Sequence, residues 1–106
     1  MRVLITENAY SDIIEFKKIS KLTDNTMNSY IKSLFNFTME LGKFPNLGKY
    51  EFTIQTNSIE YSIRQLIYKK HKILYYVDNA VHIIGFIHTK QDIKLYVKKI
   101  KKYIGN

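Results

Sequence analysis

Apolar and polar residues alternate most clearly between Tyr61 and Asp92, where the chain reads YSIRQLIYKKHKILYYVDNAVHIIGFIHTKQD. Tyr61, Ile63, Gln65 and Ile67 fall on one side of a period-two pattern, with Ser62, Arg64, Leu66 and Tyr68 on the other. The polar break Lys69-Lys70-His71 separates this run from Lys72–Val77, and Asp78-Asn79 is a turn signal before a run from Ala80 to His88. Connections this short join antiparallel neighbours, so the pattern predicts a three-stranded meander. In the last run Val81, Ile83 and Ile87 occupy one face and Ile84 and Phe86 the other. A strand that is apolar on both faces is central and covered on both sides.

Upstream, Arg2 to Ile5 predicts a strand too short to stand unless it joins a sheet made elsewhere. Thr6 offers an N-cap oxygen, Glu7 puts negative charge in the first turn, and Ala9, Ile13, Phe16 and Ile19 form one helical stripe. After the polar connection Ser20–Asn25, with Thr23 or Asp24 as the next cap, Met27, Tyr30, Ile31, Leu34, Thr38 and Leu41 trace a longer helix. Gly42 is placed to end it as the C′ residue, and Pro45 blocks a restart. The loop Phe44–Tyr50 leads to a strand over Glu51–Thr56, and Asn57-Ser58 turns the chain into the alternating stretch. Beyond His88 the period becomes helical again, with Ile93, Tyr96, Val97, Ile100 and Ile104 on one stripe. Lys94, Lys98, Lys99, Lys101 and Lys102 fill much of the rest of that segment.

These elements predict a single α+β domain over residues 1–106: an N-terminal strand, a two-helix hairpin, a mainly antiparallel twisted sheet (β-α-α-β-β-β-β) and a C-terminal helix. The stripes of the two hairpin helices are expected to pack on one face of the sheet. A hydrophobic content of 45% supports a folded core.

Charge sharpens the picture. Seventeen Lys plus Arg against nine Asp plus Glu give +8, and the pI is near 9.6. This balance points to a polyanionic or strongly acidic partner. Absent cysteine removes disulfides, cysteine metal sites and cysteine nucleophiles. No signal peptide or membrane span is legible, so the expectation is cytoplasmic, with no membrane partner. His71, His82 and His88 are too dispersed for a metal motif, and no phosphate-cradling glycine loop occurs, so neither metal nor cofactor is expected.

What remains is a basic and polar set. Arg64 shares a strand face with Ser62 and Leu66, and His82, Ile84, Phe86 and His88 are expected to share one on theirs. Lys72 opens the middle strand, and Lys90 and Tyr96 lie just past the last. Such groups suit RNA cleavage by internal attack of a 2′-hydroxyl, which needs a base, an acid and cations for the phosphorane charge. On composition alone each has a structural reading too: Arg64 as a sheet-edge tie, His82 as a satisfied core residue, His88 as a cap on the C-terminal helix.

The sequence resembles the RelE/ParE superfamily of toxins from type II toxin–antitoxin (plasmid stabilisation) modules. ITENAYSDI is similar to the family's opening strand and helix with its T-x-x-A-x-x-D core, and ELGKFPNLGKY to its L-x-x-x-P-x-x-G loop. IRQLIYKKHKILYYV and IIGFIHTKQD are similar to its R-x-L…I-L-Y-x-V and I-x-H-x-R-R-D segments. The resemblance implies a small toxin neutralised by a cognate, acidic antitoxin that wraps around it. It also implies one of two activities. RelE-like members cleave mRNA in the ribosome as metal-independent endoribonucleases (mRNA interferases), and ParE-like members poison DNA gyrase by binding it.

For the RelE-like branch the resemblance implies a catalytic set of Arg64, Lys72, His88, Lys90 and Tyr96. Lys72 stands where arginine is common, and Lys90-Gln91 where paired arginines are; lysine keeps the charge but loses the bidentate fork. The expectation is nevertheless mRNA cleavage, because Arg64, Lys72, Lys90 and Tyr96 retain suitable chemistry. The alternatives are gyrase poisoning and a degenerate, non-toxic interaction module. The helical hairpin, the open sheet face and the C-terminal lysine face are the surfaces available to an antitoxin.

Overall fold

Each helix begins where the sequence supplies a cap. In the computed structural model, which describes residues 1–101, β1 (Val3–Ile5) runs into Thr6, whose side chain accepts from the Ala9 N–H and opens α1 (Glu7–Ile19). Thr23 caps α2 (Asp24–Met39) in the same way, and Asp92 caps α3 (Ile93–Ile100) by accepting from the Lys94 N–H. Between α2 and α3 lie β2 (Lys49–Gln55), β3 (Glu60–Tyr68), β4 (His71–Val77) and β5 (Val81–His88). The order is the α+β sequence of elements that the periodicity predicts. Ile104 of the expected C-terminal stripe and Lys102 of its lysine face lie outside the described residues.

The five strands form one sheet in the order β1-β5-β4-β3-β2. β2 to β5 pair antiparallel, while β1 pairs parallel with β5, Val3 opposite Val81 and Ile5 opposite Ile83. Parallel pairing requires a crossover, and the α1–α2 hairpin with the meander supplies it. β5 therefore lies inside the sheet, as its two-sided apolar character predicts.

Two apolar layers flank the sheet. On one face Ala9, Ile13, Leu34 and Leu41 pack with Ile73, Tyr75, Val81, Ile83 and Phe86. On the other, Tyr96 of α3 packs with Ile54, Ile63, Leu74, Ile84 and Ile87. Each fully buried Leu or Ile contributes about 1.5–3 kcal/mol relative to exposure.

The membership of these layers corrects the simple alternation expected for β5. The register slips between Leu74 and Tyr75, which pair with Gly85 and Ile83, so Ile84 is an extra residue. The bulge inverts the phase. Val81, Ile83 and Phe86 share the hairpin face, and Ile84 and Ile87 share the α3 face. His82, Ile84, Phe86 and His88 thus do not share a face: His82 stacks on Tyr76 beside the α3 layer, whereas His88 lies near His71 on the hairpin side.

Three boundaries also differ. His71 is not part of a polar break: it opens β4, is 2% exposed, and leaves a turn of Lys69 and Lys70 with Lys69 at φ +50°. Its ring is enclosed by Tyr30, whose hydroxyl is hydrogen-bonded to Nδ1 at 2.6 Å, and by Phe16, which packs edge-on at 4.6 Å. Gly42 is not a left-handed helix cap, because α2 tightens into a 3-10 turn over Glu40–Gly42. Glycine is needed there for proximity instead, since a Cβ would sit 2.6 Å from the Met1 carbonyl oxygen. β2 begins at Lys49 rather than Glu51, because its first residues pair with Gln65 and Arg64 across a bulge before Phe52.

Candidate functional site

β1 ends at Ile5, so among the described residues no strand lies beside the edge of β5 beyond Ile83. Side chains of α1 take the strand's place. The Thr6 N–H and Oγ1 both donate to the Ile83 carbonyl, at 3.1 and 2.8 Å. Asn8 Nδ2 donates to the Ile84 carbonyl at 2.8 Å, and Asp12 Oδ2 accepts from the Phe86 N–H at 3.0 Å. Ala9, fully buried, lets the helix approach the strand. Buried backbone groups need partners, and residues spaced four apart on one helix face supply them here.

Tyr96 completes the arrangement from the opposite element. Its hydroxyl donates to Asp12 Oδ2 and accepts from Asn8 Nδ2 at 2.8 Å. The ring crosses Gly85 so closely that a Cβ there would lie 2.7 Å from Cζ. Desolvation raises the Asp12 pKa, opposed by its hydrogen bonds to Tyr96 and Phe86 and by the Lys99 charge. Burial, with Asp12 beside it, raises the Tyr96 pKa, so its hydroxyl stays a donor.

Beside this junction lies an open cleft of about 1040 Å³ between α1, the end of β5 and α3. Glu7 and Glu15 stand on its α1 side, Lys90 and Lys99 on the other, with Phe16 and Phe86 among its apolar lining. His71 and His88 both reach it, their ring centroids 6.2 Å apart. Desolvation lowers the His71 pKa to about 4, with His88 adding repulsion, so the ring is neutral where it hydrogen-bonds the Tyr30 hydroxyl. His88 Nδ1 accepts from the Lys90 N–H at 3.1 Å. The His88 N–H in turn donates to Gln91 Oε1 at 2.8 Å. The segment HTKQD thereby builds the β5–α3 turn and, through Asp92, the helix cap.

Of the residues singled out from sequence, His88, Lys90 and Tyr96 line this cleft. Arg64 and Lys72 do not. Arg64 pairs with Tyr75 on the hairpin face and donates from NH1 to the Gly48 carbonyl at 2.7 Å. Lys72 lies between His71 and Ile73, which face the hairpin, and pairs with Ile87, which faces α3. Alternation therefore puts Arg64 and Lys72 on opposite faces of the sheet.

Arg64 belongs to a second construction. The Tyr75 hydroxyl donates to the Pro45 carbonyl at 2.9 Å and accepts from the Gly48 N–H at 2.7 Å. Together with Arg64 it clamps both ends of the loop that carries L-x-x-x-P-x-x-G. A Cβ on Gly48 would sit 2.6 Å from the Tyr75 oxygen, which explains the glycine.

Both constructions rest on the motifs that carry the family resemblance. A family model described as the ParE toxin of the type II toxin–antitoxin system, parDE, matches residues 3–93. The chain belongs to this ParE toxin family. No curated protein matches it. As a ParE-family chain it is a type II toxin, and membership implies an antitoxin partner. Thr6, Ala9 and Asp12 of its T-x-x-A-x-x-D segment are the residues that dock α1 on β5. Among the described residues, no three His, Cys, Asp or Glu side chains are grouped to hold a metal. No helix among them is long and apolar enough to cross a membrane.

The sequence did not reveal the docking roles of Asn8 and Asp12 or the burial of His71. Asn8 and Asp12 carried a usable signal, two polar residues four apart beside the apolar stripe of α1. His71 carried none, because two lysines precede it and its burial depends on α1 and α2.

Proposed function

We propose that this chain is the toxin of a type II toxin–antitoxin module and arrests growth by binding DNA gyrase rather than by cutting mRNA. The observation that carries this reading is the separation of Arg64 and Lys72 by the thickness of the sheet. Cleavage through a 2′-hydroxyl needs its cations and proton carriers about 3 Å from one phosphate, and groups on opposite faces do not meet that condition. Tyr96 supports the same conclusion. Its hydroxyl is committed to Asp12 and Asn8 at a packed junction, where its work is to hold α3 on α1.

A second reading rests on the cleft. His88 and Lys90 share it with Tyr96 and His71, two imidazoles beside a cation. In that reading the chain cleaves ribosome-bound mRNA with His88, Lys90 and Tyr96 as the reacting groups, and Arg64 and Lys72 steer the substrate from outside.

Inducible expression without antitoxin separates the two, read by mapping mRNA ends and by detecting covalent gyrase–DNA complexes in the same cells. Growth arrest with trapped gyrase and intact messages is the expected result. New in-frame mRNA ends with undamaged DNA would refute gyrase binding and make the cleft residues the next targets for substitution.

A further inference from the structure

Carboxylates are unevenly placed in this basic protein. The chain carries nine Asp plus Glu against seventeen Lys plus Arg, for a net charge of +8 with histidine neutral. Among the described residues, Glu7, Asp12, Glu15 and Asp92 line the cleft between α1, the end of β5 and α3, against Lys90 and Lys99. Four carboxylates and two cations give this lining a formal charge of −2, opposite in sign to the chain as a whole. Glu7, Ser11 and Glu15 recur every four residues, and Asp12 follows Asn8 at the same interval, so one face of α1 forms the acidic wall. A phosphodiester would meet repulsion here and attraction over the rest of the surface.

The floor of the cleft adds acceptors that the fold leaves unused. Asp12 receives the Phe86 N–H and the Tyr96 hydroxyl both on Oδ2, and among the described residues Oδ1 has no partner. His71 is 2% exposed, yet only its Nδ1 is engaged, by the Tyr30 hydroxyl. A hydroxyl accepts from an imidazole N–H as readily as it donates to a bare nitrogen, so Nε2 of the neutral ring is available to accept. Acceptors left idle in a buried place are costly, and a ligand rich in N–H donors relieves that cost. Phe16 and Leu95 supply an apolar wall beside them. Net negative charge, several convergent acceptors and an apolar wall match a guanidinium on its methylene stem. An ammonium matches less well, because it lacks the planar fork of five donors and is more strongly hydrated.

We propose that this cleft is a receptor for an arginine side chain, with Asp12 Oδ1, Glu15 and His71 Nε2 facing the guanidinium and Phe16 and Leu95 packing its stem. A cleft of about 1040 Å³ is larger than one side chain fills, so the arginine arrives within a peptide segment that has apolar neighbours. The inference goes beyond the proposed function and does not depend on how growth is arrested.

The test titrates the full chain with the blocked tripeptide acetyl-Leu-Arg-Leu-amide at about pH 8, where an ordinary imidazole is neutral. Binding is followed by calorimetry and by amide NMR shifts. Saturable binding is expected, with shifts confined to α1, the end of β5 and α3. Lysine in place of the peptide's arginine should weaken it roughly fivefold, and glutamate should abolish it. Glu15→Gln should weaken it about threefold and Lys90→Gln should strengthen it, whereas Glu60→Gln, outside the cleft, should leave it unchanged. All three positions are exposed, and thermal unfolding checks that each variant keeps the parental midpoint. Absence of saturable binding, or equal effects of Glu15→Gln and Glu60→Gln, would overturn the site. Tighter binding of the glutamate peptide, weakened by Lys90→Gln, would make the cleft an anion site and overturn the ligand class. Blocked arginine alone binding as tightly as the tripeptide would overturn the peptide source in favour of a free guanidinium compound.

Discussion

Gly85→Ala should be among the most damaging small substitutions in this protein, and the damage should vanish when Tyr96 is also removed. The added Cβ would lie 2.7 Å from Tyr96 Cζ and 2.8 Å from Cε1, inside any tolerable contact. Gly85 sits in β5 and cannot retreat, so the ring must. Withdrawing a ring that is 7% exposed forfeits about 1.5–3 kcal/mol of burial. Leaving Asp12 and Asn8 short of their shared partner costs about 1–3 kcal/mol more. The lower chain entropy of alanine offsets about 0.4–1 kcal/mol. The net expectation is a loss of about 2–4 kcal/mol.

Tyr96→Ala alone should cost about 3–5 kcal/mol. In that background Gly85→Ala meets no ring and should change stability by less than about 1 kcal/mol in either direction. The double-mutant cycle therefore has a coupling of about 2–4 kcal/mol, measured by urea unfolding of all four proteins with their m-values compared. Additivity within about 0.5 kcal/mol would show that Tyr96 does not pack over Gly85, and the account of the α3 junction would fail.

Two further outcomes follow from other parts of the molecule. His71 is held neutral with its pKa lowered to about 4, so between that value and about 6.5 the unfolded chain binds the proton more readily. Stability present at neutral pH should fall as pH drops through this window, by at most about 3 kcal/mol, and His71→Gln should remove that part of the slope. Parallel pH profiles of urea midpoint for parent and variant would contradict the burial argument. Tyr75→Phe should leave the Gly48 N–H and the Pro45 carbonyl unpaired, costing about 1–3 kcal/mol and hastening proteolysis within residues 43–48. An unchanged cleavage rate would mean that the loop is held by something other than the tyrosine hydroxyl.

The order of elements was legible in the sequence because it depends on local periodicity and on caps. Thr6 and Thr23 stand where side-chain oxygens meet free N–H groups, and the stripes of α1 and α2 follow from a repeat of 3.6 residues; the cap of α3 is Asp92, not His88 as expected. The phase of β5 was not legible. A bulge is a property of two strands, and nothing in VHIIGFIH marks Ile84 as extra until Leu74 and Tyr75 lie opposite. The five residues proposed for catalysis were gathered by chemistry and resemblance, which carry no information on facing. Lys72 and Arg64 differ in which side of the sheet they take, and that follows from a strand register set by the turn at Lys69-Lys70.

The sequence by itself determined an α+β fold resembling the RelE/ParE toxins, the starts of its first two helices, the order of its strands along the chain and its basic charge. These are local or additive properties of side chains. Only the tertiary structure decided that Asp12 completes the edge of β5, that Tyr96 locks α3 across Gly85, and that Tyr75 and Arg64 clamp a loop bearing exposed aromatics. Each depends on groups 16 to 88 residues apart in the chain. Such distances close only when hydrophobic burial has brought the layers together, and the hydrogen bonds then form because the groups left inside have no water to bond.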